Sequence, residues 1–209
     1  MRAENLAEPL KIAGFEIFKD CLTPEEQAAM VSDLRAVAQV APMRHPVTRW
    51  GKQMSVKMTS AGRLGWISDK RGYRYEARHP DGMAWPPIPQ RILDLWQSKT
   101  NLARQPDCCL INFYGEGARM GLHQDNDEGY FSYPVLSVSL GDDGLFRMGG
   151  TERGGKTQSV WLKSGDVVVM GGAARLAYHG VDRIRFGSSS VLPDGGRINI
   201  TLRVVADPV

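Results

Sequence analysis

A mainly β domain preceded by helices is the fold class this sequence predicts, and three observations predict it. After Pro106 the texture turns to short apolar runs broken by glycine: CCLINFY, VLSVSL, LFRMGG, QSVWL, GDVVVMGG and RINITLRVV. Six such runs in about a hundred residues read as a β-sandwich or jelly roll. Helix-period patterning is confined to the first half of the chain. The third observation is scale: 209 residues, 42% hydrophobic and 23% charged, suffice for one substantial core.

The elements follow in order. TPEEQAAMVSDLRAVAQVA predicts a helix in which Thr23 caps the N-terminus, Pro24 suits the first turn and Glu26 completes a capping box. Met30, Leu34, Val37 and Ala38 form its apolar stripe. PQRILDLWQSKTNLA predicts a second helix with Ile92, Leu95 and Trp96 inward. The glycine-punctuated strands occupy the remainder, and no internal repeat or low-complexity segment interrupts them. Trp85, Trp96 and Trp161 read as core and Cys21, Cys108 and Cys109 as packing residues. His45 and His79 read as surface. Trp50 fits lid or core equally.

Several classes are excluded. No apolar run approaches ~18 residues, so no membrane-spanning helix is expected. The first residues, MRAENLAEPLKIAGF, meet charges too early for a secretory leader. Three cysteines without CxxC spacing make neither a disulfide framework nor a zinc site. A reduced, cytoplasmic setting is expected. The net charge of +3 is unevenly spread: residues 44–78 hold nine Lys/Arg against Asp69 and Glu76, a local +7 that leaves −4 for the rest. Cations interleaved with Trp50, Trp66, Tyr73 and Tyr75 suit a nucleic-acid strand, phosphates meeting charge and bases meeting ring faces. A solvated loop region has the same composition.

GLHQDNDEGYF places His123 and three acids, Asp125, Asp127 and Glu128, in six positions. Crowded carboxylates repel unless a cation sits among them. On an extended segment His-x-Asp directs both side chains to one face. Of the other histidines, His179 directly follows an expected buried strand and is the best third ligand by position, although it also suits a core histidine. Two histidines and one carboxylate make the facial triad of non-haem Fe(II) oxygenases. In RINITLR, Arg197, Asn199, Thr201 and Arg203 share one face and Ile198, Ile200, Leu202 and Val204 the other. If the polar face looks inward, two arginines there need an anion, and a small dicarboxylate matches their guanidinium forks. A solvated polar face would need none.

Together, HQD at 123–125, His179 and RINITLR resemble the AlkB family of Fe(II)/2-oxoglutarate-dependent dioxygenases. The resemblance extends to MSVKMTSAGRLGWISDKRGYRY, CLINFYGEGARMGLHQDNDE, PVLSVSLG and GDVVVMGGAARLAYHG, nearly the whole chain. It implies a single domain over residues 1–209. Its catalytic core is a double-stranded β-helix, or jelly roll, at about 106–205, and a basic nucleotide-recognition lid spans about 44–80. By resemblance His123, Asp125 and His179 ligate Fe(II), Arg197 and Arg203 grip 2-oxoglutarate, and Asn112, Tyr114 and Asn199 adjoin it. Trp66 stacks on the target base, Thr48 and Tyr73 contact the nucleotide backbone, Met58 forms a pocket wall, and Asp127 and Glu128 face the base edge.

The implied reaction consumes O2 and 2-oxoglutarate, yields succinate and CO2, and removes an N-methyl group as formaldehyde from 1-methyladenine or 3-methylcytosine. The implied partner is single-stranded DNA, RNA, or a duplex with a flipped base; a monomer is expected. Two other functions fit parts of the pattern. An oxygenase of a non-nucleic-acid substrate would not need the basic window, and a non-catalytic nucleic-acid-binding module would not need the triad. One departure stands out: the family's basic residue is expected on the strand before GDVVV, where this chain has Gln158 or Ser159, with Lys156 the nearest cation.

Overall fold

The computed structural model describes residues 8–206, and residues 1–7 of the stretch read against a secretory leader lie outside the described residues. A hairpin, β1 (Leu10–Ile12) and β2 (Phe15–Phe18), leads into helix α1 (Pro24–Val40). The capping box is present: Thr23 Oγ1 accepts from the Glu26 N–H at 3.2 Å, and the Thr23 N–H donates to Glu26 Oε2 at 2.7 Å. Strands β3 (Lys57–Gly62), β4 (Gly65–Asp69) and β5 (Gly72–Glu76) precede helix α2 (Gln90–Thr100). Asn101, left-handed with φ 54°, ends that helix.

The six apolar runs become β6 (Cys108–Tyr114), β8 (Val135–Gly141), β9 (Asp143–Met148), β10 (Gln158–Leu162), β11 (Val167–Met170) and β13 (Arg197–Arg203). Two further strands, β7 (Met120–His123) and β12 (His179–Arg185), carry too many glycines and charges to read as strands. They exist because their long-range partners supply the ladder.

A seven-stranded antiparallel sheet, ordered β1-β2-β11-β8-β13-β6-β3, faces a four-stranded one, β10-β9-β12-β7, as a double-stranded β-helix. Both faces of the larger sheet are covered. On one side α1 and α2 bury Met30, Leu34, Val37, Ile92, Leu95 and Trp96 against Ile198, Ile200 and Leu202 of β13. On the other, Ile17, Leu110, Val168 and Met170 meet Phe146, Met148 and Val181 of the smaller sheet. The β13 alternation is therefore real, and its polar face looks into the sandwich: Arg197 and Arg203 are buried, not solvated.

The basic window divides. β3 is the edge strand of the larger sheet, paired with β6 from Lys57↔Phe113 to Gly62↔Cys108. Arg44 bridges Met58 of β3, while the β4–β5 hairpin forms a separate two-stranded sheet and residues 45–56 form loops and turns beside it. Two other expectations are corrected. His79 is buried, held by Pro42 O at 3.0 Å and set edge-on against Trp85. Trp161 is only half-buried, with the Arg185 guanidinium 4.4 Å over its ring. For Trp50, open between lid and core on sequence, exposure decides against core.

Candidate active site

His123 ends β7 and His179 begins β12, and the two are direct cross-strand partners. His179 therefore does not directly follow β11; a 3-10 turn at Gly172–Ala174 and a loop intervene. A register shift in β12 between His179 and Val181 accompanies the approach. A Cβ on Gly180 would stand 2.6 Å from the carbonyl oxygens of Met120 and Gly121, so only glycine fits there. Asp125, two residues past the end of β7, completes the group. Its Oδ1 lies 3.7 Å from His123 Nε2 and its Oδ2 3.6 Å from His179 Nε2.

The donor set fits a divalent metal. The three side chains offer ligand atoms all within 4.8 Å of one another. His123 Nδ1 lies 2.9 Å from Gly121 O and His179 Nδ1 3.0 Å from Ala177 O. Donating there fixes the proton on Nδ1 and leaves each Nε2 lone pair facing the centre. Desolvation and the neighbouring His179 ring hold the His123 pKa down to about 4, so its ring is a neutral ligand at physiological pH. Burial would raise the Asp125 carboxyl, but Arg203 and the two histidines outweigh it and hold it well below the carboxylate range. Asp125 Oδ2 is buried without a hydrogen-bond partner, which a metal would supply.

Arg203 ties this centre to its surroundings. Its Nη2 donates to Asp125 Oδ1 at 2.8 Å and its Nη1 to Tyr75 Oη at 3.0 Å, with Glu128 Oε1 3.4 Å away. Tyr75 in turn donates to Glu128 Oε1 at 2.5 Å. Arg175, which sequence reasoning missed, clamps the same loop: it donates to Asp125 O at 2.6 Å, Tyr133 O at 2.8 Å and Glu128 Oε2 at 3.1 Å. Glu128 is thus fully enclosed with both oxygens engaged. It lies behind the cavity wall and does not face a base edge, a correction to the expected role.

Arg197 sits at the other end of β13's polar face. Its partners are neutral: Ser139 Oγ at 2.6 Å, and the carbonyls of Asp142 and Leu162 at 3.2 Å each. Its Nε has no partner, nor does that of Arg203. Burial pulls the Arg197 pKa below the ordinary arginine value. Gly144 permits the packing, since a Cβ there would meet Arg197 Nε at 2.7 Å. A buried cation whose direct hydrogen-bond partners are all neutral is a candidate anion site. Asn112, Tyr114 and Asn199 line the same cavity beside it, Asn199 Nδ2 being oriented by Ser137 Oγ at 2.7 Å.

The cavity, about 640 Å³, runs from Arg197 past the triad to the β4–β5 hairpin. At that end Trp66 Nε1 donates to Asp127 Oδ2 at 2.9 Å, and Tyr73 stacks on Trp66 with centroids 5.4 Å apart. Met58 forms part of the wall, and Tyr73 and Asp127 also line it. Burial raises the Asp127 carboxyl, the Trp66 bond opposes this, and Glu128 adds to the rise. Thr48 lies outside the lining. Its hydroxyl instead accepts from the Lys52 N–H at 3.2 Å and holds the turn that carries Arg49 and Trp50, which do line it. Near Ser159 the cation that lines the cavity is Arg153, on the loop between β9 and β10; Lys156 and Ser159 do not line it. No period marks a loop residue, so only the fold reveals it.

A jelly roll holding two histidines and a carboxylate at one end, with buried arginines beside them, defines a non-haem iron oxygenase that takes a carboxylate cosubstrate. Comparison with known proteins agrees. The 2OG-Fe(II) oxygenase superfamily profile matches residues 14–203. An alpha-ketoglutarate-dependent dioxygenase AlkB homolog of Caulobacter vibrioides is 52% identical over 202 residues, 96% of this chain and 92% of that protein. Alpha-ketoglutarate-dependent dioxygenase AlkB of Escherichia coli K12 is 39% identical, covering 96% and 94%. The solved structure of OsALKBH1 superposes with TM-score 0.80 at 29% identity, covering 95% of this chain and 100% of that one. The chain belongs to the AlkB family of Fe(II)/2-oxoglutarate-dependent dioxygenases. No helix among the described residues is long and apolar enough to cross a membrane.

Proposed function

We propose that this dioxygenase reverses alkylation damage, removing N-methyl groups from 1-methyladenine and 3-methylcytosine in DNA, as a monomeric enzyme of the cytoplasm with the parts of residues 44–80 outside β3 as its nucleotide-recognition lid. The carrying observation is that one cavity joins the iron triad to an aromatic and acidic end, Trp66 with Asp127, at the base of a cation-rich hairpin. When bound, Fe(II), 2-oxoglutarate and O2 supply the oxidation, which hydroxylates the N-methyl group so that it leaves as formaldehyde.

The chain's own residues set the stage for that chemistry. His123, Asp125 and His179 hold the metal. Arg197 and Arg203 take the cosubstrate carboxylates, and Asn112, Tyr114 and Asn199 fix its orientation. Trp66 offers a ring face to a base that has left its stack, locked by Asp127 on one side and Tyr73 on the other. The two named lesions are cations, and the Asp127 carboxylate at the cavity wall favours them over neutral bases. Tyr73 and the turn held by Thr48 border the path of the strand. Arg153 supplies a cation at the cavity's side.

The test is succinate formation with and without a methylated DNA oligonucleotide, alongside its RNA counterpart. Strong stimulation by methylated DNA with restoration of the base is expected. Decarboxylation that ignores the oligonucleotide would point to a non-nucleic-acid substrate, and no decarboxylation at all to a binding module.

A further inference from the structure

We infer that Trp50 is a wedge that enters the gap left in duplex DNA when the methylated base turns out into the cavity, so that the enzyme draws lesions from double-stranded as well as single-stranded substrate. The inference rests on the demethylase reading above. Its starting point is an expensive exposure. Trp50 is 75% exposed, more than any other large apolar side chain among the described residues. It is not a frayed end. The turn is closed by Thr48 N–H to Lys52 O at 2.9 Å, Gly51 N–H to Thr48 O at 2.8 Å and the Val47↔Gln53 bridge. Gly51, at φ +82° with nothing near its would-be Cβ, is there for conformation and not for space. A tight, pre-ordered turn thus presents an indole to solvent at the cavity rim.

The target base does not need that ring. Trp66 already supplies a stacking face within the cavity, oriented by Asp127 and backed by Tyr73. What lies unserved is the other half of the problem. A base extruded from a duplex leaves an empty stacking position and an unpaired partner, and apolar side chains inserted between base steps compensate for this. Trp50 has the required shape, rigidity and place. It also has the required flanks: Arg49 and Lys52 form no ion pair among the described residues, while Arg44 is paired with Asp81 and Arg74 with Asp69. The Arg49 guanidinium rests 4.3 Å over the indole, a cation already beside the ring that phosphates on either side of a gap would meet.

The experiment compares the loaded wild type, Trp50→Ala and Trp50→Phe on one 1-methyladenine oligonucleotide, single-stranded and annealed. Base–aromatic stacking changes affinity roughly ten- to hundredfold, so the duplex-to-single-strand turnover ratio is expected to fall about tenfold or more in Trp50→Ala and to recover in Trp50→Phe. A metal-free readout accompanies it: binding to a duplex with an abasic gap against an intact duplex. Wild type should prefer the gap and Trp50→Ala should lose the preference. An unchanged ratio overturns the wedge, as does an equal fall on both substrates, which would make Trp50 a single-strand stacking platform. Wild-type turnover confined to single strands overturns it too. Absence of turnover on either form overturns the demethylase reading instead, and the wedge with it.

Discussion

The two ends of the cavity are built on different terms. At the iron end the functional side chains sit on or beside strands of the two main sheets, and Asp125, His179, Arg197 and Arg203 are all buried. Their bonds span the chain, from Asp125 to Arg203 and from Arg197 to Ser139. At the hairpin end the ion pairs are local, as in Arg74 to Asp69 and Glu76, with Trp66 to Asp127 as a long-range bond, and Trp50 and Tyr73 stay exposed. One residue crosses the divide: Tyr75 of β5, bonded to both Glu128 and Arg203. The difference teaches a division of labour. Chemistry is held where packing over-determines geometry, and selectivity where surface can vary without disturbing it.

Substitutions at the two ends should therefore fail in different ways. Asp125→Ala should have the largest effect, abolishing both methylated-DNA turnover and uncoupled decarboxylation. It removes a ligand and leaves the buried Arg203 with Glu128 as its remaining carboxylate. Fe(II) titration and succinate assays check this, and wild-type turnover would refute the triad. Next comes Arg203→Ala. Charged hydrogen bonds are worth ~1.5–3 kcal/mol, so the 2-oxoglutarate requirement should rise roughly tenfold to a hundredfold, whereas Ile200→Val on the opposite face should leave it unchanged. Equal cosubstrate affinity in Arg203→Ala and wild type would break the comparison at its deep end.

Trp66→Ala tests the shallow end. Loss of stacking worth ~1–3 kcal/mol should depress methylated-substrate turnover while cosubstrate affinity holds. Asp127→Ala should act more gently, narrowing the cationic-over-neutral lesion rate ratio by about fivefold, the Coulomb energy of a partly hydrated pair. Matched oligonucleotides with 1-methyladenine and a neutral methylated base measure it; an unchanged ratio means Asp127 does not read base charge. The smallest effect is expected from Lys70→Ala, which should weaken any strand and flatten the salt dependence of binding by about one phosphate contact.

The same contrast explains what was legible in the sequence. The capped α1, the inward face of α2 and the six apolar strands are local patterns, and each formed where its periodicity placed it. The β13 alternation carried both a core face and a site face. β7 and β12 were not legible because Gly121, Gly180, Asp182 and Arg183 disguise strands whose existence depends on distant partners. Nor could composition show that Glu128 turns inward to Arg175 while Asp127, its neighbour, turns to Trp66. Arg153 was missed for the same reason: a loop residue reaches the cavity only after two sheets have closed around it.

β13 puts Ile198, Ile200 and Leu202 into the helix-covered core and Arg197, Asn199, Thr201 and Arg203 into the sandwich, paired residue for residue with β6 and β8. Because side chains alternate, a slip of one position would exchange the two sets completely. Two guanidinium groups would then be pressed among leucines and isoleucines, and no such chain would persist. The strand is its own inspection. A molecule that passes into the folded population has its arginines correctly aimed, so inactive but well-folded misregistered copies should not accumulate.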